Sequence, residues 1–240
     1  MPTIKEIKSL GGKKRRDFFY QISDYLACYP AKLFLATPLT PNQITILWIV
    51  VQVIASLFLV SGKKWIMVIS LLVFQAMFII DCTDGIVARY KKKLSLNGVY
   101  LDILGHYLAN SVLLICYGIG AARYYENFTY ALLGILAALT FLLNKSITLN
   151  PVWYPKNQQK VIYDCSKSSM LLNEKKWLYY IFAVFRLEYL FNIMFWGTLF
   201  GLANYVIAVY TVLFILELGR KILMQFVKNN KNDKELSRSV

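Results

Sequence analysis

The chain has 240 residues, of which 58% are hydrophobic and 17% charged, and its mean hydropathy is +0.48. This apolarity excludes an ordinary soluble domain and is typical of a polytopic membrane protein. The chain is long enough for about six membrane spans of roughly 20 residues each. The net charge of +14 would suit nucleic acid, but the basic residues cluster beside apolar spans and no nucleic-acid-binding motif is present, so the expected anionic partner is a membrane surface.

The N-terminal region divides into a basic tail and a mixed segment. Residues 1–16 are rich in Lys and Arg, and we expect them to form a poorly ordered tail. Between residues 17 and 36 apolar positions recur in steps of three and four, which predicts an interfacial amphipathic helix. Pro30 should kink or interrupt that helix. The alternative is a soluble helix that caps the bundle.

Six apolar spans follow, at 43–60, 65–89, 98–121, 129–148, 177–200 and 203–226. A polar stretch at 149–176 is the one sizeable loop, and residues 229–240 form a polar C-terminal tail. The predicted fold is therefore all-α. It is a single polytopic membrane domain over residues 17–228, a six-transmembrane-helix bundle preceded by the interfacial helix.

The distribution of Lys and Arg predicts the orientation. Of the 27 basic residues, 23 lie beside the spans on one side, and that side includes both termini and the turn after the second span. Basic residues concentrate in cytoplasmic segments. We therefore expect an integral, multi-pass protein whose termini and 89–97 turn face the cytoplasm.

The second and third spans carry three carboxylates and the only histidine of the chain. Asp81 and Asp84 are three residues apart, and Asp102 and His106 are four apart, so each pair shares a helical face. Antiparallel spans joined by a short turn can aim these faces at each other near the cytoplasmic end. Ionised groups are expensive at membrane depth and usually mark a pathway or a reaction centre. A metal cluster would make the grouping tolerable.

Small and basic residues accompany the carboxylates. Gly85 and Ala88 give a ligand access to the site, or they serve helix packing, where small residues are common. Arg89 is expected to contact phosphate, and the alternative is an arginine that extends to the lipid headgroups.

Over residues 81–106 the spacing is D-x2-D-G-x2-A-R-x8-G-x3-D-x3-H. It resembles the signature of the CDP-alcohol phosphotransferase (CDP-alcohol phosphatidyltransferase) family, which ends in aspartate where this chain has His106. The resemblance implies transfer of a substituted phosphate from a CDP-linked alcohol to an acceptor hydroxyl with release of CMP, in phospholipid biosynthesis. It also implies two divalent ions, and oxygen-rich ligands suit Mg²⁺ or Mn²⁺.

The resemblance assigns roles to individual residues. The metal ligands it implies are Asp81, Asp84, Asp102 and His106. The nucleotide-binding residues it implies are Asn42, Thr45, Gly85, Ala88, Arg89, Ser95 and Gly98. The run P-N-Q-I-T at 41–45 resembles the family's P-N-x-x-T start of the first span. An ordinary helix start with Pro and Asn is the alternative reading of that run.

Position 106 is where the chain departs from the signature. A neutral imidazole can accept a proton and can ligate a metal, so the first hypothesis is an active enzyme with His106 as the catalytic base. Three carboxylates leave two divalent ions with one positive charge for the substrate diphosphate to offset, which should weaken the second metal site or shift it toward Mn²⁺. The second hypothesis is a catalytically impaired relative that binds CDP-lipid.

Donor and acceptor are less constrained. CDP-diacylglycerol is the first choice of donor, and a soluble CDP-alcohol with a lipid or glycan acceptor fits the same motif. Lys145 and Arg186 are candidates for binding the acceptor, with a topology anchor and an interfacial arginine as the respective alternatives. A small transporter would also use intramembrane carboxylates, but the sequence has no inverted halves. The other expected partners are membrane lipids and, since dimers are common in the family, a second copy.

Overall fold

The computed structural model describes residues 3–9, 18–149 and 187–236, and these residues form helices and no strand. The all-α fold class is therefore confirmed. In chain order the helices are α1 (Ile4–Ser9), α2 (Phe18–Leu35), α3 (Pro41–Leu59), α4 (Lys64–Tyr90), α5 (Leu96–Tyr124), α6 (Thr129–Leu149), α7 (Leu187–Leu199) and α8 (Ala203–Leu236).

Within the described part of the chain, four helices are long and apolar enough to cross a membrane, namely α3, α4, α5 and the Thr129–Ile147 part of α6. They coincide with the first four predicted spans and fit an integral membrane protein. The sixth predicted span falls within α8. A count of six stays a prediction, because residues 177–186 of the fifth span lie outside the described residues, as does nearly all of the 149–176 loop.

The beginning of the chain is more ordered than we expected. The backbone N–H of Thr3 donates to the Glu6 carboxylate at 2.8 Å, and the Glu6 N–H donates to the Thr3 hydroxyl at 3.3 Å. This reciprocal pair is a capping box, which favours the start of a helix. Ile7 of α1 is fully buried in a small apolar cluster with α2 and α4. The expectation of a poorly ordered tail is thus wrong for residues 4–9.

Helix α2 packs against α4 through small residues. Ala27, Cys28 and Ala31 are buried and share a cluster with Ile86 of α4. The Thr83 hydroxyl donates to the Ala27 carbonyl at 3.3 Å, which links the two helices by a hydrogen bond. Large apolar and aromatic side chains of α2 are exposed on its other side: Ile22, Tyr25, Leu26, Tyr29 and Leu33. The helix continues through Pro30 without interruption, and its interfacial location stays a prediction.

Helix α3 lies between α4 and α5 and packs closely against both, whereas α4 and α5 do not pack closely against each other in the described chain. The two helices that carry the carboxylates are therefore joined mainly through α3, which packs against both. Elsewhere, Gly118 of α5 and Gly134 of α6 cross closely. A Cβ added to Gly118 would lie 2.6 Å from the Gly134 Cα, so the crossing requires glycine.

Candidate metal and nucleotide site

Three of the predicted metal ligands lie together. The Nε2 atom of His106 is 3.5 Å from an oxygen of Asp81 and 3.5 Å from an oxygen of Asp102. Asp81 comes from α4, and the other two come from one face of α5. The side chain of Asp81 is nearly buried and that of Asp102 is half exposed, so the group opens on the Asp102 side.

The geometry of this group suits a divalent ion. One donor atom from each of Asp81, Asp102 and His106 lies within 4.8 Å of the other two. Because Mg²⁺–oxygen bonds are about 2.0–2.1 Å, two ligands of one ion are at most about 4.2 Å apart, a spacing that small side-chain movements reach from here. Two carboxylates and an imidazole also form a donor set that Mn²⁺ accepts.

Asp84 is held from the opposite side by α3. Its Oδ2 atom accepts a hydrogen bond from the Thr45 hydroxyl at 2.6 Å and another from the Trp48 indole N–H at 3.2 Å. Two donors on one oxygen fix the orientation of the carboxylate. Asp84 lies outside the three-residue group found among the described residues, so its role as a metal ligand stays a prediction.

Trp48 also contacts the histidine. The centres of the indole and imidazole rings are 5.1 Å apart, and the rings are tilted by 38°. A Cβ added to Gly105 would lie 2.9 Å from the tip of the indole and closer still to Ile49. The missing side chain at position 105 thus allows α3 to approach α5 beside His106.

The predicted nucleotide residues Asn42 of α3 and Gly98 of α5 meet near the N-terminal ends of these two helices. A Cβ added to Gly98 would lie 2.9 Å from the amide oxygen of Asn42 and 3.2 Å from the Ser95 hydroxyl. Ser95 is the N-cap of α5, where its hydroxyl accepts a hydrogen bond from the Gly98 N–H at 3.0 Å. Ser95 therefore has a structural role that does not require a nucleotide.

The helix-start reading of the 41–45 run accounts for only part of it. Thr40 and Gln43 form the capping box of α3, and Pro41 occupies the first turn. Capping does not explain why Asn42 lies beside Gly98, or why the Thr45 hydroxyl donates a hydrogen bond to Asp84. The helix start is therefore confirmed, and the nucleotide-binding role of Asn42 and Thr45 stays a prediction.

The C-terminal part of the α4 motif surrounds Arg89. Its guanidinium lies over Gly85, with Nη1 3.4 Å from where a Cβ of that residue would be. Ala88 is buried, in keeping with helix packing. One residue beyond α4, the Lys91 ammonium donates to the carbonyls of Thr37 and Leu39 at 3.0 and 2.8 Å, and so ties the segment before α3 to the end of α4.

Of the two candidates for acceptor binding, Lys145 lies within the described residues and Arg186 does not. Lys145 is near the C-terminal end of α6, where its ammonium lies 5.6 Å from the centre of the Phe141 ring.

Two residues of the site were not among the sequence-predicted ones. Trp48 follows Thr45 by three residues, so helical spacing could have placed both on one face. In the sequence, Lys91 is the first of three consecutive lysines and entered the analysis of orientation only through its charge. Its hydrogen bonds join segments more than fifty residues apart, and no local pattern shows them.

Comparison with known proteins adds one match. The model of a protein family described as CDP-alcohol phosphatidyltransferase matches residues 38–214, which is well over half of the chain. A search of curated proteins found no match. The matched range contains all the motif residues discussed above.

Proposed function

The chain belongs to the CDP-alcohol phosphatidyltransferase family, and we propose that it is a metal-dependent enzyme of phospholipid biosynthesis. In this proposal it transfers the substituted phosphate of a CDP-linked alcohol to the hydroxyl of an acceptor and releases CMP. CDP-diacylglycerol is the proposed donor.

One observation carries the proposal. Two apolar helices, α4 and α5, bring Asp81, Asp102 and His106 within hydrogen-bonding or metal-binding reach of one another. Carboxylates at membrane depth are costly without a partner, so an arrangement that gathers them serves a chemical purpose. Within this family, that purpose is catalysis of phosphate transfer.

The reaction forms one bond and breaks one bond at the same phosphorus. The acceptor oxygen attacks the phosphorus that carries the alcohol, and the bond from that phosphorus to the bridging oxygen of the diphosphate breaks. CMP leaves with the bridging oxygen, and the proton of the acceptor hydroxyl passes to a base of the protein. A bound divalent ion supplies neutralisation of the diphosphate charge; the residues proposed to hold it are Asp81, Asp84, Asp102 and His106.

His106 is the proposed base. As a neutral imidazole its Nε2 atom has one lone pair, so this atom either ligates a metal or takes the proton at any one moment. A proton on Nε2 would lie between the oxygens of Asp81 and Asp102, each 3.5 Å away, and both negative charges would stabilise it.

The nucleotide is proposed to lie against the cytoplasmic ends of α3, α4 and α5. Asn42 and Gly98 are adjacent there, and the Arg89 guanidinium over Gly85 offers a fork of donors to a diphosphate. Thr45 contributes by holding Asp84. Ala88 and Ser95 belong to the same proposed pocket through their places in the helices.

The acceptor is proposed to approach from the side of α6. Lys145 supplies a positive charge near the C-terminal end of α6, which suits an acceptor that carries a phosphate of its own. Arg186 is proposed as a second contact on the basis of sequence alone.

The proposal is tested by a CMP-release screen on the purified protein. Donors are CDP-diacylglycerol and soluble CDP-alcohols, acceptors are small alcohols and lipid or glycan hydroxyls, and each pair is assayed with Mg²⁺ and with Mn²⁺. We expect release from CDP-diacylglycerol that depends on one acceptor. Release only from a soluble CDP-alcohol would reassign the donor. Tight binding of CDP-lipid without release in any combination would show an impaired relative and contradict the proposed activity.

A further inference from the structure

Trp48 is placed rigidly in the wall between the two motif helices. It lies on α3, its side chain is fully buried, and it belongs to the main apolar cluster of the described chain. A large side chain that is packed on all sides has one preferred orientation. Whatever Trp48 contacts is therefore held in a defined place.

The indole N–H of Trp48 forms a hydrogen bond with one motif residue, Asp84. This N–H donates to Oδ2 of Asp84 at 3.2 Å, beside the shorter hydrogen bond from Thr45. One carboxylate oxygen of Asp84 is consequently hydrogen-bonded to two side chains of α3. The other oxygen is the one through which Asp84 can act on a ligand.

The ring of the same indole lies close to that of a second motif residue, His106. The His106 ring centre is 5.1 Å from that of Trp48, with a tilt of 38°, and Gly105 leaves the space for this approach. Ring contact restricts rotation of the imidazole, which keeps Nε2 directed at Asp81 and Asp102.

The contact suits a histidine and does not suit a carboxylate. An imidazole has a ring face and a polarised edge that pack well on an indole. An aspartate at position 106 would have no ring face, and its negative charge would meet the electron-rich face of the indole. The indole thus stabilises the residue that this chain carries at the end of its motif.

We propose that Trp48 is a positioning residue that orients His106 and Asp84 together and adapts the site to histidine at position 106. The inference rests on the proposed function for the purpose of the site. Its evidence is the pair of contacts made by one buried side chain. Groups that orient metal ligands typically change metal affinity or activity by about 10–100-fold when they are removed.

The test is a double-mutant cycle read by metal binding. Mn²⁺ binding to the full-length protein in nanodiscs is measured from the loss of the free-ion EPR signal. The proteins compared are the wild type, Trp48→Leu, Trp48→Phe, His106→Asp, and Trp48→Leu combined with His106→Asp. Phe74→Leu is the matched control, since Phe74 is an equally buried aromatic residue whose ring contacts Phe191.

We expect Trp48→Leu to weaken Mn²⁺ binding about tenfold or more when His106 is present, and far less in the His106→Asp protein. Trp48→Phe keeps a ring against the imidazole and should remain closer to the wild type. Phe74→Leu should leave Mn²⁺ binding unchanged. An equal loss in both backgrounds would show that the effect of Trp48 does not depend on histidine at position 106, and an unchanged affinity in Trp48→Leu would show that it positions nothing; either result overturns the inference.

A second measurement needs no variant. His106 is the only histidine, so a protein with labelled histidine gives a single imidazole signal. That signal should show nuclear Overhauser contacts to an indole, and their absence overturns the inference even if Trp48→Leu fails to fold. A wild type that binds Mn²⁺ but releases no CMP would contradict the proposed function and leave the role of Trp48 intact.

Discussion

At His106, a single nitrogen atom faces two carboxylates at the same distance of 3.5 Å. The oxygens belong to helices that do not pack closely against each other in the described chain, so the imidazole bridges the space between them. Such a bridge can be closed by a proton or by a metal ion. The identity of residue 106 therefore decides both acid–base chemistry and metal affinity.

The first prediction concerns replacement of this histidine. His106→Ala should lower the rate of CMP release by about 10²–10⁴-fold, because it removes the base. His106→Asp should retain transfer, since a carboxylate can also take a proton and ligate a metal. The rates are measured at saturating donor, with circular dichroism as the control for folding. An alanine variant as active as the wild type would remove His106 from the mechanism.

The grouping of Asp81, Asp102 and His106 could be predicted because helical spacing alone places residues three or four apart on one face. The hydrogen-bond donors to Asp84 could not be predicted. Thr45 and Trp48 come from a third helix, and which face of that helix points at the motif depends on the packing of the whole bundle.

Among the elements, α3 has the largest influence on the site. Its first turn places Asn42 beside Gly98, and its second and third place Thr45 and Trp48 on Asp84. The segment before it is held by Lys91, whose ammonium donates to two backbone carbonyls. Loss of these hydrogen bonds should let the start of α3 move away from the nucleotide pocket.

The second prediction follows from this attachment. Lys91→Met should raise the KM for the donor about tenfold, the equivalent of about 1.4 kcal/mol, with a smaller effect on kcat. Lys93→Met is the matched control, because Lys93 lies in the same turn, carries the same charge and is exposed. Steady-state CMP-release kinetics distinguish the two variants. An equal rise in KM for both would mean that only the basic charge of the turn matters.

The third prediction concerns the attachment of α2 to α4. Thr83→Val should lower the free energy of unfolding by about 1 kcal/mol, the typical net contribution of a hydrogen bond. The hydroxyl of Thr83 donates to Ala27 in α2 as well as to Ile79 in its own helix. Among the residues that the structure describes, Thr140 donates only within α6, so Thr140→Val should change stability less. Chemical unfolding of both variants in the same detergent provides the comparison, and equal losses would exclude a contribution from the bond to α2.

Sequence patterns predicted some of the helices but not how they pack. The first four spans could be predicted, because twenty apolar residues in a row have few alternatives to a membrane helix. The position of α3 between α4 and α5 could not be predicted, since the pattern of one helix does not show which other helices its buried face meets. For α1 a local signal was present: Thr3 and Glu6 have the spacing of a capping box.

For the whole molecule, the distribution of basic residues predicts how the bundle lies in the membrane. The fourth prediction is that a cysteine introduced at Lys93 reacts with an impermeant maleimide only from the cytoplasmic side, and one at Glu126 only from the other side. Both positions are exposed, and they lie near opposite ends of α5. The variants are made in a protein whose four native cysteines are replaced. Labelling of both positions from one side would contradict the proposed topology.

The account as a whole depends on a metal-dependent transfer carried out by the carboxylates and imidazole of α4 and α5. The most direct test is CMP release from CDP-diacylglycerol by the purified protein, measured with a chelator and again after metal is restored. We predict that release stops in the chelator, resumes with Mg²⁺ or Mn²⁺, and does not resume in Asp102→Asn. Release that continues undiminished in the chelator, or in the Asp102→Asn variant, would contradict the account.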